Sequence, residues 1–138
     1  MDLLYLCDLI GTFAFAVYGC YTGLKKGFDL YGIVVCAFLT ALGGGTIREI
    51  ILNKTPVYFN DYNYIYVVFF AIVFCAFTFK HFHKINKSML ILDAVGLATF
   101  AFIGSARAVE MHMGLVATIM FAPLTAVGGG NVKRYCGK

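Results

Sequence analysis

Charge is scarce in this sequence. Only 13% of its 138 residues are Asp, Glu, Lys or Arg, about half the share of a soluble globular domain. With 61% of residues hydrophobic, a chain this short has too little interior to hide its apolar surface from water. The expected solvent for most of it is lipid. The sequence also lacks the short segments of alternating apolar and polar residues that mark a membrane β-barrel. No basic region precedes the apolar run after Met1-Asp2-Leu3, and no small-residue cleavage site follows. The expectation is a first span that stays, not a signal peptide. The cysteines Cys7, Cys20, Cys36, Cys75 and Cys136 form no CxxC pair and read as small apolar packing residues. There is no nucleotide-binding glycine loop, nucleophile elbow or zinc-ligand spacing. "GGGTIRE" lacks the Lys and the flanking strand of a P-loop. No enzyme chemistry, cofactor or metal is expected, and His112 reads as an interfacial loop residue.

What is present is a series of long apolar runs. Leu3–Leu24, Leu30–Leu52, Tyr62–Phe79, Met89–Ala106 and Met113–Val132 each approach the ~20 residues that cross a bilayer as a helix. Backbone groups in lipid must pair internally, so these runs are predicted to be helices. Counted from Met1, Lys25, Lys26, Lys80, Lys84, Lys87, Lys133, Arg134 and Lys138 fall on the far side of the membrane. Arg48, Lys54 and Arg107 fall on the near side. Cytoplasmic loops are the basic ones, so the N-terminus is expected outside. The net charge of +4 is explained by orientation and implies no nucleic-acid partner. "KHFHKINK" reads as a basic loop within reach of anionic lipid headgroups, with His81 and His83 a weak metal signal. Tyr58, Tyr62, Tyr64 and Tyr66 mark a membrane interface at the start of the third span.

The sequence repeats itself. Residues 37–45 read "AFLTALGGG" and residues 122–130 read "APLTAVGGG", an offset of 85. The same offset matches Asp8 with Asp93, Gly11 with Gly96, Phe15 with Phe100, Ala16 with Ala101 and Gly19 with Gly104. Arg48 then meets Lys133. One unit has three spans, an odd number, so the next must enter from the opposite side. That is an inverted repeat, an arrangement common in transporters.

The triplets Gly43, Gly44, Gly45 and Gly128, Gly129, Gly130 fall within the second and fifth spans. Glycine costs about 1 kcal/mol relative to alanine in a helix interior, so three together favour a kink or an unwound turn. Carbonyls freed there could coordinate a cation, and N–H groups could face an anion. Close packing through small residues is the competing explanation. Two symmetry-related ion pairs, Asp8–Arg48 and Asp93–Lys133, are expected to bracket these helices. The alternative is that these groups snorkel to headgroups. "GCYTG", Gly19–Gly23, has the GxxxG spacing of a close helix contact, within or between subunits.

"DLIGTFAFAVYG" with "GFDLYGIVVCAFLTALGGGTIREIILNKTPVYF", and "LDAVGLATFAFIGSARA" with "LTAVGGG", resemble the bacterial trimeric intracellular cation (TRIC) channels. The same domain is also described as a glycine transporter. The resemblance covers nearly the whole chain. It implies two inverted three-span repeats plus a seventh span, a homotrimer in the bacterial inner membrane, and one pore per subunit. Gly43–Gly45, Gly128–Gly130, Arg48 and Lys133 then become pore-associated candidates. The family's usual Arg-Asp after each triplet is Arg48-Glu49 in the first copy and Lys133-Arg134 in the second. The sixth and seventh spans are missing from the expected pattern.

The fold expected is therefore an all-α membrane protein: three-helix units in inverted repeat with glycine-kinked second and fifth spans. Residues 1–84 form the first unit and 85–138 a second, truncated one with two spans. Three functions stay open: a K⁺ channel, a carrier of a small zwitterion such as glycine, or a non-transporting remnant that packs against a full-length subunit.

Overall fold

The computed structural model describes residues 2–51, 53, 55, 59–82, 86–112, 114–120 and 123. It is all helical across its major elements: α1 (Asp2–Lys25), α2 (Leu30–Ile51), α3 (Asn63–Phe82) and α4 (Asn86–Glu110). Each is long and apolar enough to cross a membrane. They correspond to the first four expected spans. Of the fifth, Met113–Val132, residues 115–120 and 123 are helical, Gly114 precedes the helix, and the rest lies outside the described residues.

Local chemistry sets the helix ends. Phe28 N–H donates to Gly23 O at 3.0 Å and Gly27 N–H to Leu24 O at 3.1 Å, the paired bonds of a Schellman cap. The cap needs a left-handed residue, and Gly27 supplies it at φ 71°. Asp29 then caps α2, its Oδ1 accepting from Gly32 N–H at 3.0 Å. Asp61 does the same for α3 through Asn63 N–H at 3.0 Å. His112, expected as an interfacial loop residue, sits just beyond α4 in the left-handed region at φ 52°.

α1 is the hub and packs against α2, α3 and α4. Half of its span is buried inside the chain, against a third or less for each of the others. α2 runs antiparallel to it. A Cβ on Gly19 would lie 2.9 Å from Cys36 O and 3.0 Å from Ala37 Cα, and one on Gly23 would lie 3.2 Å from Ile33 Cα. The GxxxG motif thus makes a close contact within the chain. α3 runs parallel to α1. Tyr5 stacks edge-on to Tyr64, Phe13 lies against Phe70 and Phe74, and Tyr21 against Phe79. Cys75 Sγ–H donates to Val17 O and Cys20 Sγ–H to Ile72 O. Cys20, Cys36 and Cys75 therefore pack in the interior, two of them at this seam, and Cys7 is half-buried, while Cys136 lies outside the described residues.

α4 runs antiparallel to α1, and residues matched by the offset of 85 meet across this contact. Phe15 and Phe100 stack with centroids 5.0 Å apart. A Cβ on Gly11 would lie 3.7 Å from the Phe100 ring, and one on Gly96 would lie 3.0 Å from the Phe15 ring. The contact is reciprocal, each phenylalanine lying near the other helix's glycine.

α2 stays helical through Gly43–Gly45. An unwound turn, one form of the expected disruption, is not what this segment adopts. A backbone in lipid cannot leave its hydrogen bonds unmade, and Thr46 Oγ1–H adds a further bond across the triplet to Leu42 O at 2.7 Å.

Candidate functional site

The N-terminal half of α1 and the C-terminal end of α2 hold a cluster of ionisable groups turned inward. Arg48 is 2% exposed, Glu49 3% and Asp8 8%. Arg48 Nη2 lies 3.4 Å from Asp8 Oδ2, so the expected ion pair forms. Because both groups are buried, they do not snorkel to headgroups. Arg48 also donates from Nε and Nη2 to Glu49 Oε1 at 3.0 and 2.8 Å. Adjacent residues on a helix do not ordinarily face each other; here the long Arg side chain folds back onto its neighbour. Asp8 Oδ2 accepts a second bond from Tyr64 OH at 2.8 Å.

A small cavity of about 20 Å³ adjoins the cluster, lined by Asp8, Thr12, Ala41, Leu42, Gly45, Arg48, Glu49, Tyr64 and Phe100. That volume admits about one water molecule. A Cβ on Gly45 would meet nothing within 4 Å, so the glycine leaves open space rather than a packed contact. Arg48 Nη1 is buried and has no hydrogen-bond partner among the described residues. Beside the cluster, Tyr5 OH donates to Asp61 Oδ2 at 2.6 Å and accepts from Asn63 Nδ2 at 3.0 Å. This ties the connection before α3 to α1.

The structure brings together Asp8, Arg48 and Gly45, with Gly44 buried on the same helix and Gly43 beside it. Asp93 lies at the other end of α1. There it lines a groove of about 500 Å³ with Tyr18, Tyr21, Thr22, Lys25, Lys26, Met89 and Leu90. Gly128, Gly129, Gly130 and Lys133 lie outside the described residues, and the Asp93–Lys133 pair with them. Two residues of the cluster escaped the sequence reading. In sequence, Glu49 stands out only as the acid that follows Arg48 after the first triplet. Tyr64, expected among the interfacial tyrosines, is 4% exposed while Tyr62 and Tyr66 are each 70% exposed. The signal was present: positions 62 and 66 share a helix face, and 64 points away from both.

Four apolar helices around a buried charged cluster define a multi-pass membrane protein. Comparison with known proteins names its kind. The family model described as Glycine transporter matches residues 5–80 and 90–133. A UPF0126 membrane protein of Deinococcus radiodurans is 33% identical over 132 residues, covering 94% of this chain and 61% of that protein. The UPF0126 inner membrane protein YadS of Escherichia coli strain K12 is 34% identical over 133 residues, covering 95% and 64%. The chain spans about three fifths of the length of these curated relatives. The crystal structure of the TRIC channel orthologue from Rhodobacter sphaeroides superposes with a TM-score of 0.84 at 32% identity, covering 99% of this chain and 71% of that one. A further TRIC cation channel structure, solved for the basis of conductance, gives 0.83 at 33%, covering 100% and 68%.

The chain belongs to the family whose model is described as Glycine transporter, and it shares the fold of these TRIC channel structures. Its fold is of the membrane channel and transporter type, not that of an enzyme.

Proposed function

We propose that this chain forms part of a passive conduit for monovalent cations, K⁺ foremost, with the Asp8–Arg48–Glu49 cluster beside the path. The observation that carries this reading is the cluster itself. Ionisable groups inside membrane helices are expensive and mark polar paths, and this one borders a cavity beside the glycine triplet. Its structural neighbours, which are cation channels, point the same way. The reading extends to a homotrimer in lipid, in the bacterial inner membrane with the N-terminus outside. Residues 1–84 and 85–138 are its two inverted units. Gly43–Gly45, Gly128–Gly130, Asp93 and Lys133 border the path, and kinks at the triplets open it.

The family description favours a second reading, transport of glycine or a similar zwitterion. Arg48 would hold the carboxylate, and Asp8 or Glu49 the ammonium.

Flux into liposomes carrying the purified chain separates the two. K⁺ flux that is lost in Gly44→Leu supports the conduit. Saturable uptake of radiolabelled glycine without K⁺ flux supports the carrier.

A further inference from the structure

A buried arginine is a poor neighbour for a cation path, because rings of Arg and Lys line pores that pass anions. The geometry around Arg48 resolves this. Its guanidinium is held by two carboxylates, Glu49 through two hydrogen bonds and Asp8 through one contact at 3.4 Å. All three residues are more than nine-tenths buried, and all three line the same cavity. Tyr64 adds a neutral donor to Asp8. Two acids against one base leave the cluster with an excess of one negative charge.

We propose that Glu49 sets the sign of this site: together with Asp8 it outnumbers Arg48, so the cavity presents net negative charge and admits cations in preference to anions. The inference rests on the conduit reading above and deepens it by naming the residue that determines specificity. Burial gives the excess charge its reach, since a charge a few ångströms away acts several-fold more strongly in a protein environment than in water. The unpartnered Arg48 Nη1 donates to the water that enters. Asp8 alone would only neutralise Arg48. With Glu49 removed, the cavity has no charge preference.

The test is the reversal potential of the full chain in planar bilayers under a KCl gradient. Glu49→Gln is expected to lower the K⁺/Cl⁻ permeability ratio by roughly tenfold or more. Glu49→Asp should keep the wild-type ratio. Asp8→Asn combined with Glu49→Gln should shift the reversal potential to the anion side, and Arg48→Gln should move it further to the cation side. Currents in Glu49→Gln with an unchanged reversal potential would overturn the proposal and leave Glu49 as a brace for Arg48. If Glu49→Gln cannot be reconstituted, Arg48→Gln carries the test, and an unmoved reversal potential there overturns it equally. Wild type without K⁺ current overturns the conduit reading itself, a result distinct from conduction without selectivity change.

Discussion

Helices α1 and α3 have the same mean hydropathy, 1.7 over their best windows, yet 50% of the α1 window is buried against 28% for α3. Hydropathy does not sort them because lipid tails are as apolar as leucine, so there is no hydrophobic drive to hide one helix rather than another. Side-chain size does. α1 carries Gly11, Ala14, Ala16, Gly19 and Gly23, which let three helices approach its backbone. α3 carries Phe69, Phe70, Phe74 and Phe77, all of them exposed, whose bulk keeps its backbone away from neighbouring helices and suits acyl chains. In this chain the small helix becomes the core and the bulky one the boundary.

Substitutions can break that comparison or sharpen it. The largest effect is expected at the charged end of α1. Arg48→Met would leave Asp8 and Glu49 buried without a counter-charge, at a cost of about 3–5 kcal/mol, read as a lowered Tm in detergent. Asp8→Arg combined with Arg48→Asp should recover part of it. Equal damage from the exchange would count against the pair. Next, Phe15→Ala, which empties the stacked contact with Phe100, should cost about 3–5 kcal/mol. Phe77→Ala, at a position 84% exposed, should stay within about 0.5 kcal/mol. Similar losses at the two phenylalanines would abolish the distinction between the helices. A smaller cost, about 1–3 kcal/mol, is expected for Gly19→Ala, whose new methyl would press on Cys36 O at 2.9 Å. Gly45→Ala, with open space around it, should be neutral or gain up to about 1 kcal/mol through helix propensity. A gain in Tm with a loss of flux would mark Gly45 as kept for transport rather than for folding.

The sequence made the spans legible because lipid imposes one rule on every backbone group, and apolar length alone then announces a helix. The Asp8–Arg48 pair was legible through the repeat, which marked two unlike charges as belonging to one unit. Gly19–Gly23 declared a close contact but not its partner, since spacing on one helix carries no information about the other. Glu49 stayed hidden because adjacent helix positions normally diverge, and only the length of the Arg side chain brings them together. Tyr64 stayed hidden because its neighbours are interfacial, and composition overrode the helix geometry that separates it from them. At the triplet in α2, propensity favours a disrupted helix, while in lipid the need to keep every hydrogen bond acts against an unwound turn.

At the seam between α1 and α3, each of two buried thiols donates to a carbonyl of the opposite helix, Cys20 to Ile72 and Cys75 to Val17. The chain thus carries its own pair of cross-linking points, one on its innermost helix and one on its boundary helix. A mild oxidant that joined them would staple these two helices without any engineered residue. If transport continues through the stapled protein, α3 does not slide along α1 during the cycle. If it stops and returns on reduction, the seam is a moving part.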